Sequence, residues 1–171
     1  MATALIILGA GMGTRMNSDL PKVLHPIAGA PMLVHAMKSG AALQPERTVV
    51  VAGYGADAVE KAAKAYDPDT KVVIQSEQLG TAHAVAQAKE ALKDFAGDVL
   101  MLLGDAPFIK TQTMQDMLDR LRSPDAPAVV VLGFEPADPL QYGRVITHAD
   151  NTIEKMVEFK DANEAERACR L

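Results

Sequence analysis

The stretch ALIILGAGMGTRM, residues 4–16, sets an unbroken apolar run against a loop with three glycines and an arginine. The run reads as a strand, and the glycines mark a tight exit whose backbone N–H groups can face an anion. Four further runs repeat the apolar theme: TVVVAG (48–53), KVVIQS (71–76), DVLMLL (98–103) and AVVVLGF (128–134). Near-continuous runs of this length suit strands buried on both faces of a parallel sheet. Between them the period changes. From Thr81, the positions Val85, Ala88, Leu92 and Phe95 form one apolar stripe, with His83, Gln87, Glu90 and Asp94 on the opposite side. Pro31 suits a first helical turn, and Leu33, Met37 and Ala41 continue that helix as a stripe. Such β-α alternation predicts an α/β domain, a mostly parallel sheet with helices on both faces. SPDAP, residues 123–127, is the clearest loop, and no repeat or linker marks a second domain.

Composition narrows the class. Hydrophobic residues make up 49% of the 171 and charged residues 23%, the balance of a globular protein with a real core. A net charge of -5 provides no basic footprint for nucleic acid, so an anionic ligand must be met by a local cluster of cations. No apolar run is long enough to span a bilayer, and the N-terminal run lacks the basic flank of a signal peptide. The single cysteine, Cys169, fits a reducing compartment, so a cytoplasmic location is expected. His25, His35 and His148 have no metal-site spacing, and His83 falls on a polar helix face. Met114 and Met117 read as core.

In sheets of this kind ligands bind beyond the carboxyl ends of the strands. The residues there are GAGMGTR, GYGAD, SEQLGTAH, GDAPF and EPAD. A dinucleotide fingerprint fails in the first loop: Thr14 stands at the third glycine position, and no acidic residue occurs between Asp19 and Glu46 to take a ribose. A P-loop fails because no Lys follows the glycines. What remains is Gly9, Gly11 and Gly13, then Thr14, Arg15 and, after a short connector, Lys22. Two cations from one loop suit a polyphosphate. Asp105, at the end of a buried strand, is placed as a turn former or as a hard oxygen ligand for Mg2+. The amides of Gln75 and Gln78 supply both hydrogen-bond donors and acceptors.

The phrase GTRMNSDLPKVLHPIAGAPM resembles the signature of the sugar-nucleotide pyrophosphorylases, the G-x-G-T-R-M…P-K nucleotidyltransferases. QSEQLGTAHAV, LLGDAPFI, YGRVI and MVEFKDA follow in the order and approximate spacing of members acting on UTP and N-acetylglucosamine 1-phosphate. The chain departs from the family in reading LGAG for LAAG and EFKDA for EHKDA. The resemblance implies a Rossmann-like nucleotidyltransferase fold over residues 1–171 that forms UDP-N-acetylglucosamine and pyrophosphate with Mg2+. It places Leu8, Gly9, Ala10, Gly11, Gly13 and Thr14 against the nucleotide, with Arg15 and Lys22 as catalytic cations on the phosphates. Gln75, Gln78, Gly80 and Thr81 take the base, Gly104, Gly143 and Glu158 the sugar phosphate side, and Asp105 the metal. Arg144 and Lys160 are surface or supporting charges. The family's catalytic domain continues beyond the position of Leu171, so an incomplete sugar half is expected. Two alternatives stay open: a relative using another nucleotide or sugar phosphate, and a nucleotide-binding module without turnover. Partners are then UTP and a sugar 1-phosphate, without nucleic acid or membrane, and homo-oligomer formation stays open.

Overall fold

The computed structural model describes residues 1–13 and 16–171, and the expectations for Thr14 and Arg15 lie outside the described residues. The chain forms two compact units, Met1–Pro127 and Ala128–Leu171, divided at the end of the SPDAP loop.

The first unit runs β1 (Thr3–Gly9), β2 (Pro26–Ile27), β3 (Ala30–Pro31), α1 (Met32–Ala41), β4 (Arg47–Ala52), α2 (Ala56–Tyr66), β5 (Lys71–Ile74), α3 (Thr81–Gln87), β6 (Asp98–Leu103) and α4 (Thr111–Leu121). Its parallel sheet has the order β5-β4-β1-β6, with β2 and β3 a separate short hairpin. Strand alternation divides the core into two layers. Leu5, Ile7, Val50, Leu100 and Leu102 pack with Leu33, Met37, Val59 and Met114 from α1, α2 and α4. Ile6, Val49 and Val51 point the other way, toward Ala84 of α3 and Ala88 just beyond it. β1 is covered on both faces, which is why ALIIL carries no polar residue. The chain grows from β1 outward to β5 and then returns to β6 on the other flank, so the strand order reverses beside β1.

Four local expectations are corrected. AVVVLGF forms no strand: Val129, Leu132 and Phe134 are exposed, because an apolar run becomes a strand only where another strand offers it a hydrogen-bonding edge. β6 is buried on one face only, with Val99, Met101 and Leu103 at 46%, 40% and 46% exposure, since on that side α3 packs over β1 and β4. In α1 the buried position near the helix end is Gly40, not Ala41, because Leu5 presses there. The helix from Thr81 ends at Gln87, where Ala88 and Lys89 donate to carbonyls three residues back and the chain tightens into a 3-10 turn at Glu90–Leu92, although Val85, Ala88 and Leu92 of its stripe still pack on one core layer. Among the described residues no helix is long and apolar enough to cross a membrane.

The second unit pairs β7 (Arg144–Thr147) antiparallel with β8 (Ile153–Val157) and ends in α5 (Glu164–Ala168). Arg144 is buried at 3% exposure, with its guanidinium donating to the carbonyls of Tyr142 and Leu140 and lying over Phe159; it is a supporting charge, not a surface one. Lys160 is exposed. α5 opens with a capping box: Asn163 accepts from the Glu166 N–H at 2.9 Å and Glu166 accepts from the Asn163 N–H at 2.8 Å. The Lys155 ammonium, 2.6 Å from Glu166, with that N–H second, holds the Glu166 carboxyl below its ordinary range. A depressed carboxylate contributes stability above its unfolded pKa and loses it as pH falls through the folded value. Asn163→Ala should lower stability by about 1 kcal/mol through the lost cap, read as an earlier urea midpoint, whereas the Glu166 contribution, whose partners Lys155 and the residue-163 N–H persist in the variant, is lost from both chains alike as pH falls.

Candidate active site

A cavity of about 320 Å³ opens at the carboxyl ends of β1, β5 and β6, beside the reversal of strand order. Leu8, Ala10 and Gly11 line it from the first loop, Gln75, Gln78, Gly80 and Thr81 from the connection into α3, and Lys22 and Asp105 side by side at its wall. Its volume suits a small organic ligand. The nucleotide and metal candidates thus converge, although Gly9, Gly13 and Gly104 support the wall without lining the cavity.

The loop after β1 is squeezed by its neighbours. A Cβ on Gly53 would sit 2.7 Å from the Ala10 carbonyl oxygen, and one on Gly104 2.9 Å from that of Leu8. Gly13 adopts φ +66°, and a side chain there would meet Lys22 Cβ at 2.7 Å, so the glycine turn and the lysine lie against each other. Gly11 is different: among the described residues nothing lies within 4 Å of its Cβ position, and it lines the cavity.

Lys22 Nζ lies 2.6 Å from Asp105 Oδ2, with each side chain about one-third exposed at 32%. Such a pair is worth little as a clamp on the fold, in the range of about 0–1 kcal/mol. Its position at the cavity matters more. Among the described residues no group of three or more His, Cys, Asp or Glu could cage a metal. Mg2+ does not need one, because it binds through one or two carboxylates together with substrate phosphates and water. Asp105, one accessible carboxylate at a cavity with room for an anion, fits that donor set.

Gln78 donates Nε2–H to the Ala10 carbonyl at 3.1 Å and ties the loop before α3 to the first. Gln75 is buried at 5% exposure, and its Nε2 lies 3.1 Å from both the Gly80 carbonyl and His83 Nδ1. The other ring nitrogen of His83 faces Gln87 Nε2, also at 3.1 Å. The sequence reading missed this trio. Its signal was present: His83 and Gln87 are one helical turn apart on α3, just after a strand ending before Gln75. The other histidines stand elsewhere, His35 Nε2 at 2.8 Å from the Ile27 carbonyl and His148 beside Glu154. Cys169 is a free thiol near the Val145 carbonyl.

Gly143 and Glu158 belong to the second unit, which brings them together. A Cβ on Gly143 would lie 3.2 Å from the Val157 carbonyl oxygen and 3.9 Å from Glu158 Oε2.

The profile of the MobA-like NTP transferase domain matches residues 5–167. The bifunctional protein GlmU of Roseobacter denitrificans is 58% identical over all 171 residues, and that of Ruegeria pomeroyi 59%; the chain spans 37% of the length of each. Among solved structures, HddC from Yersinia pseudotuberculosis superimposes with a TM-score of 0.73 at 23% identity, covering 91% of this chain and 68% of that one. A UDP-glucose pyrophosphorylase complexed with UDP-glucose superimposes at 0.69 with 16% identity, covering 99% and 73%. At these identities the structural likeness concerns the fold.

Proposed function

Because this chain belongs to the MobA-like NTP transferase domain family, we propose that it transfers the uridylyl group of UTP to N-acetylglucosamine 1-phosphate, with release of pyrophosphate. Nucleotidyl transfer follows from the family; the choice of UTP and of this sugar rests on the resemblance carried by QSEQLGTAHAV, YGRVI and MVEFKDA. One observation carries the reading: a single cavity is lined by the glycine loop, two glutamine amides, a lysine and an aspartate.

In the reaction a phosphate oxygen of the sugar phosphate forms a bond to the α-phosphorus of UTP, and the bond from that phosphorus to the pyrophosphate oxygen breaks. The nucleophile is already anionic at neutral pH, so the chain needs no general base. Its work is to bring two anions into line and to neutralise the charge that grows on the leaving group. Lys22 supplies positive charge at the cavity, Arg15 is assigned the same task, and the Leu8–Gly11 backbone gives the nucleotide a close approach. Gln75 and Gln78 read the base, with Gly80 and Thr81 against it. Asp105 would hold Mg2+, which when bound contributes charge neutralisation at the phosphates. Gly104, Gly143 and Glu158 are assigned to the sugar phosphate side.

Pyrophosphate release from UTP and N-acetylglucosamine 1-phosphate with Mg2+ tests the reading. Release by this chain, abolished in Asp105→Ala while UTP binding persists in both, is the expected result. UTP binding without release by the unmodified chain would favour a nucleotide-binding module. Release with another nucleoside triphosphate in preference to UTP would move the substrate within the family.

A further inference from the structure

We propose that His83 is a positioning residue that locks the side-chain amide of Gln75, so that the cavity meets the nucleobase with a hydrogen-bond acceptor. The inference rests on the uridylyl reading of the cavity and deepens it, because it names what sets the choice between uracil and cytosine.

The argument starts from the count of protons on one imidazole. Both ring nitrogens of His83 face amide nitrogens, Nδ1 that of Gln75 and Nε2 that of Gln87, each at 3.1 Å. A neutral ring carries one N–H, so it accepts at one nitrogen only, and one of the two amides has to turn its oxygen to the ring. Each amide resists, because each nitrogen also serves a carbonyl: Gln75 donates to Gly80 at 3.1 Å and Gln87 to His83 itself at 3.0 Å. Burial decides between them. Gln75 is 5% exposed, and turning it would set its oxygen against the Gly80 oxygen with no water to intervene. Gln87 is only half-buried, so water can replace whatever bond it gives up. An unmade hydrogen bond costs more in the buried place.

The buried amide therefore keeps its nitrogen inward, and His83 carries its proton on Nε2. Both N–H groups of Gln75 are then spent within the protein, on Gly80 and on Nδ1. The atom left for a ligand in the cavity is the carbonyl Oε1, which only accepts. Uracil offers N3–H at that edge, whereas cytosine offers the lone pair of N3. Gln78 has no such lock: it is exposed and spends one donor on Ala10, so its amide turns to suit what it meets. Discrimination thus falls to Gln75, and His83 and Gly80 hold it there.

Calorimetric titration of this chain with UTP and with CTP, in Mg2+, reads the effect. Wild type should prefer UTP, and His83→Ala should reduce the UTP-to-CTP preference by about tenfold, chiefly through tighter CTP binding once Gln75 can turn. His83→Asn places an amide oxygen where Nδ1 stood and should restore most of the preference. Nitrogen-15 spectra of the wild-type imidazole should report a bare Nδ1 and a protonated Nε2, which needs no variant to fold. A proton on Nδ1 instead, or an unchanged preference in a folded His83→Ala, would overturn the proposal while leaving the uridylyl reading intact. A wild-type chain that binds UTP no better than CTP would overturn both.

Discussion

Lys22→Ala should slow pyrophosphate release about 100- to 1,000-fold with both substrates saturating, the cost of removing one preorganised group aimed at developing charge. The lysine is held for that task by geometry. Its Cβ lies 2.7 Å from where a side chain on Gly13 would begin, so the glycine turn packs directly against the root of the lysine. Its ammonium, 2.6 Å from Asp105, already sits at the cavity wall. UTP affinity should fall less than turnover, by about tenfold to a hundredfold, because a charge-assisted hydrogen bond is lost in the ground state as well. Thermal unfolding should hardly move, since a pair one-third exposed is worth about 0–1 kcal/mol. These three readings separate catalysis from scaffolding. A small loss of turnover with a large loss of stability would make Lys22 a partner of Asp105 and nothing more.

Leu5→Ala should destabilise the first unit by about 2–5 kcal/mol, and it should reverse the effect of a second change, Gly40→Ala. Leu5 is 1% exposed at the centre of the larger core layer, and α1 crosses it at Gly40. A methyl on Gly40 would run into Leu5 Cδ2, so Leu5, itself buried in the core, would have to shift. Two opposing effects meet in Gly40→Ala alone. Alanine gains about 1 kcal/mol over glycine in a helix interior, while overpacking costs about 1–3 kcal/mol, so the net effect is a loss. With Leu5 shortened the clash is gone and the methyl fills part of the space. The same substitution should then stabilise by about 1 kcal/mol. Urea unfolding of the two single variants and the double variant tests this, and additive effects would mean that helix and strand do not share that contact.

The parts of the fold legible from sequence are those where one local property decides. β1 and β4 lie between two layers, so an unbroken apolar run names them. The same kind of run misleads at 128–134, because pairing depends on a neighbouring edge that no local pattern reports. It half misleads in β6, whose residues Val99, Met101 and Leu103 are as apolar as the rest yet face outward. The helix after Gly80 is visible by period, but its early end follows from hydrogen bonds shifting to carbonyls three residues back. In the site, the strand-end rule finds Leu8, Gln75, Gly80 and Asp105, since fold class alone places strand ends together. His83 was legible only as a polar residue on a helix. What it does depends on how closely β5 and α3 approach, and on a buried amide with no spare donor.

The glycines around the first loop divide into two kinds, with a consequence for how the gene can drift. Gly53 and Gly104 leave room for the Ala10 and Leu8 carbonyls, so the folded chain needs them whatever it binds. Among the described residues no atom lies within 4 Å of a Cβ on Gly11, which lines the cavity, so a side chain there would intrude on a bound ligand rather than on the described wall. A lineage that abandoned its substrate yet kept the fold would retain the first two and be free to lose the third. The residue at position 11 is therefore the place in this loop where ancestry and use can come apart.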